Sequence, residues 1–128
     1  MACTLHPFTP RDRAAAIALW RNPGLSFVAR ADGVLVGAVL CGHDGRRGYL
    51  HHLAVAPAHR RLGIGRRLVA RCLSALARQD IPKCNIFVYG HNACGRAFWR
   101  RAGWKPRPDL ELLQRFTPAS PEFRPRKG

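Results

Sequence analysis

The chain has 128 residues, which predicts one domain with a buried core, and 47% of them are hydrophobic, which argues against disorder over most of its length. The sequence shows no run of about 18 apolar residues and no secretory signal segment, so a soluble cytoplasmic protein is expected. The five cysteines include no Cys-x-x-Cys pair, which argues against a disulfide framework or a zinc site. The net charge of +15 indicates attraction to polyanions, although arginine-rich composition can also simply solvate a surface.

The first half of the chain predicts strands joined by short turns, with one helix near the N-terminus. Thr9 and Pro10 are typical of a helix cap and first turn, so a helix is expected from there to about Trp20. Turn signals lie at residues 22–24, 31–33 and 43–48. They bound predicted strands at residues 4–8, 26–30, 34–40 and 49–55, of which the last three are consecutive and antiparallel.

The second half predicts two amphipathic helices and two more strands. An apolar stripe predicts a helix ending near Gln79. The stripe consists of Ile64, Leu68, Val69, Cys72, Leu73 and Leu76. A second helix is expected between Asn92, as its cap, and Gly103. Residues 83–89 and 110–116 are apolar enough for strands, and the residues from 117 onward are interpreted as a disordered tail. Elements in this order predict an α+β fold whose mixed, mostly antiparallel central sheet is flanked by helices.

The turn before the first of these two helices has the properties of a phosphate-binding site, and we call residues 60–66 the cradle. The first N–H groups of a helix lack intrahelical partners, and the helix dipole favours negative charge beside them. Gly63 and Gly65 carry no Cβ, so a ligand can approach the main chain closely. Arginines stand at positions 60, 61, 66 and 67. The pattern is neither a P-loop nor a three-glycine dinucleotide fingerprint.

Two motifs resemble those of the GNAT superfamily of N-acetyltransferases, in particular its small single-domain bacterial members. The sequence Arg-Arg-Leu-Gly-Ile-Gly at 60–65 is similar to the family's Arg/Gln-x-x-Gly-x-Gly/Ala motif, and the usual Val-x-Pro precedes it at 55–57. At the expected distance, residues 92–104 resemble Asn-x-x-Ala-x-x-Phe-Tyr-x-x-x-Gly-Phe with three substitutions. The two motifs together are much more specific than either alone.

The resemblance covers residues 3–116 and implies the GNAT fold. It makes residues 1–116 the N-acetyltransferase domain and 117–128 the tail. The family usually has two helices between its first two strands, whereas this chain leaves room for one helix and a turn. A shortened N-terminal helical region and an open substrate cleft are therefore expected. Family members often dimerise, so the resemblance also allows a homodimer.

The resemblance implies acetyl-coenzyme A as cosubstrate. In the family, the fourth and fifth strands separate, the pantetheine arm pairs with the fourth strand in the gap, and the helix-start amides hold the pyrophosphate. The positions implied for cofactor binding are Leu53, Ala54, Val55, Arg60, Arg61, Leu62, Gly63, Ile64, Gly65, Arg66, Asn92 and Phe98. Two of them have a simpler alternative, since Asn92 can be a plain helix cap and Phe98 a core residue.

Acetyl transfer to a primary amine needs a base, because an alkylamine with a pKa near 10.4 arrives protonated. Histidine titrates near neutral pH. Alternation on the fourth strand is expected to place Tyr49, His51, Leu53 and Val55 on one face and Leu50, His52 and Ala54 on the other. One branch of the family carries a histidine four residues before the motif's valine, so His51 is the candidate base. The alternative is that both histidines are structural.

The proton donor for the leaving thiolate is a tyrosine in the family, and Trp99 occupies that position here. Tryptophan has no hydroxyl, so Tyr49 or Tyr89 would have to replace it. A thiol has a pKa of about 8.5, so a thiolate can also leave unaided, more slowly.

The leading prediction is an acetyl-coenzyme A-dependent N-acetyltransferase in which a primary amine attacks directly within a ternary complex. The second is a catalytically weak coenzyme A-binding sensor or partner module of the same fold, which Trp99 and the missing helix favour. A basic nucleic-acid-binding domain is supported by charge alone and ranks last. No metal and no membrane partner are expected. Seven acidic residues favour a small or neutral-bodied acceptor over a polycation, but the sequence does not identify it.

Overall fold

The computed structural model describes residues 3–7, 22–119 and 121. Its elements are β1 (Cys3–Pro7), β2 (Phe27–Ala31), β3 (Val34–His43), β4 (Gly48–Val55), α1 (Ile64–Arg78), β5 (Cys84–Ile86) and α2 (Ala93–Arg101). The chain divides into two compact units, Met1–Tyr89 and Gly90–Gly128. The helix expected at 9–20, and with it the shortened N-terminal region, lies outside the described residues. The division into a 1–116 domain and a tail stays a prediction.

One sheet of five strands organises the first unit, in the order β1-β2-β3-β4-β5. The first four strands are antiparallel to their neighbours, and β5 runs parallel to β4. The mixed, mostly antiparallel sheet of an α+β fold is therefore confirmed.

Short turns with left-handed backbone connect the antiparallel strands. Asp32 and Gly33 have φ values of 50° and 80°, and they join Ala31 directly to its partner Val34. Two successive positive φ values match the right-handed twist of the flanking strands, which is why Asp-Gly favours such hairpins. The expected tight turn is confirmed.

Helix α1 packs its apolar stripe against one face of the sheet. Most of the expected stripe is buried, but Leu73 is 40% exposed and Ala75 is buried instead. An α-helix has 3.6 residues per turn, which places Leu73 at the edge of the apolar stripe and Ala75 within it. The helix ends in a Schellman-type cap, in which the N–H of Ile81 donates to the carbonyl of Leu76 at 3.1 Å.

Two glycines in the sheet allow this close packing. A Cβ at Gly48 would lie 2.5 Å from Cδ1 of Leu76, and one at Gly37 would lie 3.2 Å from Cδ1 of Leu68. Both positions therefore face α1, and they define which face of β3 and β4 is the helix side.

Three free cysteines belong to this core or its edge: Cys41, Cys72 and Cys84. The thiol of Cys72 donates to the Leu25 carbonyl at 3.2 Å. The hydrogen bond between Cys72 and Cys41, together with burial, raises the pKa of Cys41 to about 12. The Cys41 thiol therefore stays protonated and is a poor nucleophile. The cysteines thus act as small packing residues.

Two strand predictions in the second half were wrong. β5 covers only Cys84–Ile86 rather than 83–89, and residues 110–116 form no strand. The apolar side chains of that segment are exposed: Leu110, Leu112, Leu113 and Phe116. Strand propensity depends on pairing and burial, and within the described part of the chain this segment has no paired strand. No helix among the described residues is long and apolar enough to cross a membrane.

Candidate active site

Strand β5 ends while its neighbour β4 continues. They pair at only three positions, the last being Leu50 with Ile86. Beyond that point β4 continues through residues 51–55, whereas residues 87–89 leave the strand conformation. The β5 side of β4 therefore presents backbone groups without a strand partner, and an extended molecule can pair with such an edge.

A β-bulge in β4 lies beside this opening. The register with β3 shifts between Leu40, which pairs with His51, and Ala38, which pairs with Ala54. His52 lies at the shift with a φ of 50°. An inserted residue of this kind bends a strand and re-aims its side chains.

The bulge changes which side chains share a face. Gly48 faces α1 and Leu50 is buried two residues later, so Tyr49 and His51 lie on the opposite face, as expected. Val55 pairs with Gly37 and therefore lies on the α1 face. Simple alternation was wrong for Val55, as it was for Ala54, because the extra residue reverses the pattern.

The cradle follows at the end of β4. The segment between β4 and the cradle is held by Arg60, whose Nε donates to the Val55 carbonyl at 3.1 Å. Arg61 and Gly63 have φ values of 64° and 81°, and α1 begins at Ile64. A Cβ at Gly63 would meet no atom within 4 Å, so the space beside this glycine is open.

The cradle presents backbone donors. The first hydrogen bond of α1 runs from the N–H of Arg67 to the carbonyl of Gly63, at 3.1 Å. The N–H groups of Ile64, Gly65 and Arg66 thus have no acceptor within the helix, and no other described residue provides one. The first turn contains no acidic residue. Open space, orphan donors and arginines fit a diphosphate.

His51 and His52 are both exposed at the opening. Partial desolvation, and to a lesser degree the charge of neighbouring His52, hold the pKa of His51 below its ordinary value of 6.5. A lowered pKa means that the neutral ring, which can accept a proton, predominates at neutral pH.

Tyr49 lies two residues before His51 on the same face. Its hydroxyl donates to Oδ2 of Asp44 at 3.4 Å, and its ring stacks on Phe87 with the centroids 6.3 Å apart and the planes 13° from parallel. Backbone N–H groups of Arg47 and Arg46 hold the pKa of Asp44 below its usual range, so the acceptor is ionised. Sequence reasoning missed Phe87, which was assigned to the interior of a strand.

The second motif lies in the other unit and forms a capped helix. Asn92 accepts a hydrogen bond from the N–H of Gly95 at 3.0 Å, which confirms the cap. Trp99 is buried and contacts the rings of Phe98 and Trp104 edge-on, each with centroids 5.0 Å apart. Phe98 is half-buried in this cluster. The tryptophan that replaces the family's tyrosine thus has a packing role within its own unit.

Comparison with known proteins is consistent with this geometry. A model described as the acetyltransferase (GNAT) family matches residues 2–104. An acetyltransferase from Sodalis glossinidius is 29% identical over 109 residues, which are 85% of this chain and 77% of that protein. Ard1 from Thermoplasma volcanium has a TM-score of 0.72 at 20% identity, over 80% of this chain and 82% of its own.

Another protein of similar fold has been solved with coenzyme A bound. The PaiA N-acetyltransferase of Thermoplasma acidophilum, solved in complex with coenzyme A, has a TM-score of 0.66 at 22% identity, over 72% of this chain and 58% of its own. The acetyl donor of the matched family is acetyl-coenzyme A.

Proposed function

Because this chain belongs to the GNAT family of acetyltransferases, we propose that it transfers the acetyl group of acetyl-coenzyme A to a primary amine by direct attack in a ternary complex. The observation that carries the proposal is the continuity of two backbone features. The unpaired edge of β4 leads within a few residues into the orphan amides of the cradle. One extended ligand with a diphosphate at one end fits both.

The cradle and the β4 edge have separate tasks in this proposal. The backbone of Leu53, Ala54 and Val55 pairs with the pantetheine arm, and the amides of residues 61–66 bind the pyrophosphate. The Arg60 side chain is already bonded to Val55, so its contribution is to hold the turn in place. The neighbouring arginines add long-range attraction for the phosphates.

His51 is the proposed base. The acceptor arrives as an ammonium ion and first loses a proton to His51, directly or through water, and His51 returns that proton to solvent. The neutral nitrogen then forms a bond to the acetyl carbonyl carbon, the carbon–sulfur bond breaks to release a thiolate, and the second proton leaves the nitrogen by the same route. The lowered pKa of His51 keeps the ring able to accept that proton near neutral pH. The bulge at His52 supports this role because it sets the direction of β4 immediately after His51.

Tyr49 is the proposed donor of a proton to the thiolate. Trp99 has no hydroxyl, and Tyr49 presents one on the same face of the sheet as His51. Its hydrogen bond to Asp44 orients the phenol in the absence of ligands. Asn92 and Phe98 remain proposed contacts of the cofactor, in addition to the cap and the ring cluster that they form.

A second candidate function is a coenzyme A-binding sensor with little catalysis. The specific observation in its favour is that Trp99, at the position of the family's acid, is buried among aromatic rings. It requires the same cofactor contacts, so only turnover separates it from the enzyme. The nucleic-acid-binding alternative gains no comparable support.

The test measures release of free thiol from acetyl-coenzyme A with a panel of primary amines. His51→Asn should reduce the rate by at least about 100-fold, the lower range for general base catalysis. His52→Asn is the matched control, because asparagine tolerates the left-handed backbone there, and it should retain most activity. Coenzyme A binding without thiol release for any amine would identify the sensor, and absence of binding would exclude both.

A further inference from the structure

The side chain of His43 connects the β3–β4 loop, residues 44–47, to the end of α1. Its Nε2 lies 2.8 Å from Oε1 of Gln79, and its Nδ1 lies 3.0 Å from the backbone nitrogen of Gly45. A backbone N–H can only donate, so Nδ1 is the acceptor and Nε2 carries the proton that Gln79 accepts. The neutral ring is therefore held in one tautomer, with both of its nitrogens engaged.

The two segments that His43 connects differ in their support. Gln79 is the C-terminal cap residue of α1, and its N–H donates to the Leu76 carbonyl at 3.0 Å. Residues 44–46 of the loop are exposed. An exposed loop has little apolar burial to fix its position, so its hydrogen bonds have to do so. The ring of His43 thus ties this loop to a packed helix.

The loop in turn holds the hydroxyl of Tyr49. The N–H groups of Arg46 and Arg47 donate to Oδ1 of Asp44, each at 2.9 Å. The Tyr49 hydroxyl donates to Oδ2 of the same carboxylate at 3.4 Å. One carboxylate oxygen is bound within the loop and the other to the phenol, so the position of the loop determines where the phenol is held.

We propose that His43 is a positioning residue for acetyl transfer: it holds the β3–β4 loop and, through Asp44, sets the position from which the Tyr49 hydroxyl acts. This inference rests on the proposed function, in which Tyr49 protonates the leaving thiolate. A general acid has to lie within reach of the atom that it protonates. His43 itself transfers no proton, because both of its ring nitrogens are engaged by the loop and the helix.

The test compares the kcat of thiol release in His43→Ala and His43→Asn, with the fastest amine of the panel. Alanine removes the acceptor for the Gly45 N–H, and kcat should fall about fivefold, the equivalent of one neutral hydrogen bond. Asparagine can accept from the N–H two residues further on, as in an Asx-turn, so it should keep kcat within about twofold of wild type. The KM for the amine and the Kd for coenzyme A should stay at the wild-type values in both variants.

A double-mutant cycle tests whether His43 acts through Tyr49. In the Tyr49→Phe protein, His43→Ala should lower kcat by less than about twofold further, because the hydroxyl that it positions is gone. An equal fall in both backgrounds would overturn the proposal. Arg30→Ala is the matched control: Nη1 of Arg30 donates to the Gly33 carbonyl at 3.3 Å, so this variant loses a side-chain bond to the β2–β3 turn and should keep the wild-type kcat.

NMR of tyrosine labelled with ¹³C at Cζ separates this inference from the proposed function. The chain has two tyrosines, so Tyr89→Phe assigns the Tyr49 signal. His43→Ala should move that signal towards its position in Asp44→Ala, where the phenol has lost its acceptor, and His43→Asn should not. An unmoved signal or an unchanged kcat in His43→Ala would overturn the positioning role while leaving an acetyltransferase. Absence of thiol release with every amine would overturn the proposed function, and the Tyr49 signal would still decide whether His43 holds the phenol.

Discussion

The hydroxyl of Tyr49 donates a hydrogen bond to the carboxylate of Asp44, with 3.4 Å between the two oxygens. The phenol is thus held at the end of β4 nearest the β3–β4 loop, with its proton directed at an ionised group. For this hydroxyl to protonate a thiolate, the bond to Asp44 has to be exchanged when substrates bind.

Tyr49→Phe tests that role, because it removes the hydroxyl and retains the ring. We expect kcat to fall by about 100-fold, the lower end for loss of a general acid, since a thiolate also leaves unaided. The KM for the amine should stay constant because the ring of Tyr49 and its stacking on Phe87 are retained. Steady-state thiol release checks both, and an unchanged kcat would show that solvent protonates the sulfur.

The pH dependence of the acetyl-transfer rate should show the titration of His51. Its pKa is lowered from 6.5, so the neutral base persists below that pH, and activity should fall only as pH drops through the lowered value. This fall in activity, the break in the pH profile, should disappear in His51→Asn. In His52→Asn it should move up towards 6.5, because the neighbouring charge is lost. A break above pH 6.5 in wild type would contradict the assignment.

The lowered pKa of His51 also makes folding stability depend on pH. The unfolded chain binds the His51 proton more readily than the folded chain, so folding stability rises with pH across the interval between the lowered pKa and 6.5. The contribution is present above pH 6.5 and is lost as pH falls through that interval. Urea unfolding of wild type and His51→Asn over this range should show a shallower slope in the variant.

Substitution can separate the two roles of Asn92, the helix cap and the proposed cofactor contact. Asn92→Ala removes the acceptor for the Gly95 N–H and should cost about 1 kcal/mol of unfolding free energy. Asn92→Asp keeps an acceptor at the cap but removes the amide donor. If Asn92 donates to the cofactor, Asn92→Asp should weaken coenzyme A binding with little loss of stability. Equal affinity in Asn92→Asp and wild type would leave Asn92 as a cap alone.

Features encoded locally could be predicted from the sequence. The cap at Asn92 and the turn at Asp32 and Gly33 depend on a few adjacent residues, and both were confirmed. The apolar stripe of α1 was confirmed except at Leu73. The cradle was recognisable for the same reason, since its glycines and arginines are consecutive.

Features set by pairing between distant segments could not be predicted. The bulge at His52 arises from the register with β3, so alternation along β4 placed Val55 on the wrong face. The exposure of Phe87 depends on where β4 and β5 separate, and the apolar content of residues 110–116 did not produce a strand without a partner. Hydrophobic periodicity indicates which side chains a segment could bury. Whether they are buried depends on the strands with which the segment pairs.

The central claim is that orphan amides of the cradle bind the diphosphate of coenzyme A, and calorimetric titration of Gly63→Glu with coenzyme A tests it most directly. The new side chain would fill the open space and bring a carboxylate to the phosphate site. Gly33→Glu is the control, because both glycines have φ near 80° and open surroundings, so both variants should lose about 1–2 kcal/mol from backbone strain.

We predict that Gly63→Glu weakens coenzyme A binding by about 10- to 100-fold or more, the equivalent of losing at least one hydrogen bond to a charged group. Gly33→Glu should bind as tightly as wild type. Wild-type affinity in a folded Gly63→Glu protein would contradict the account.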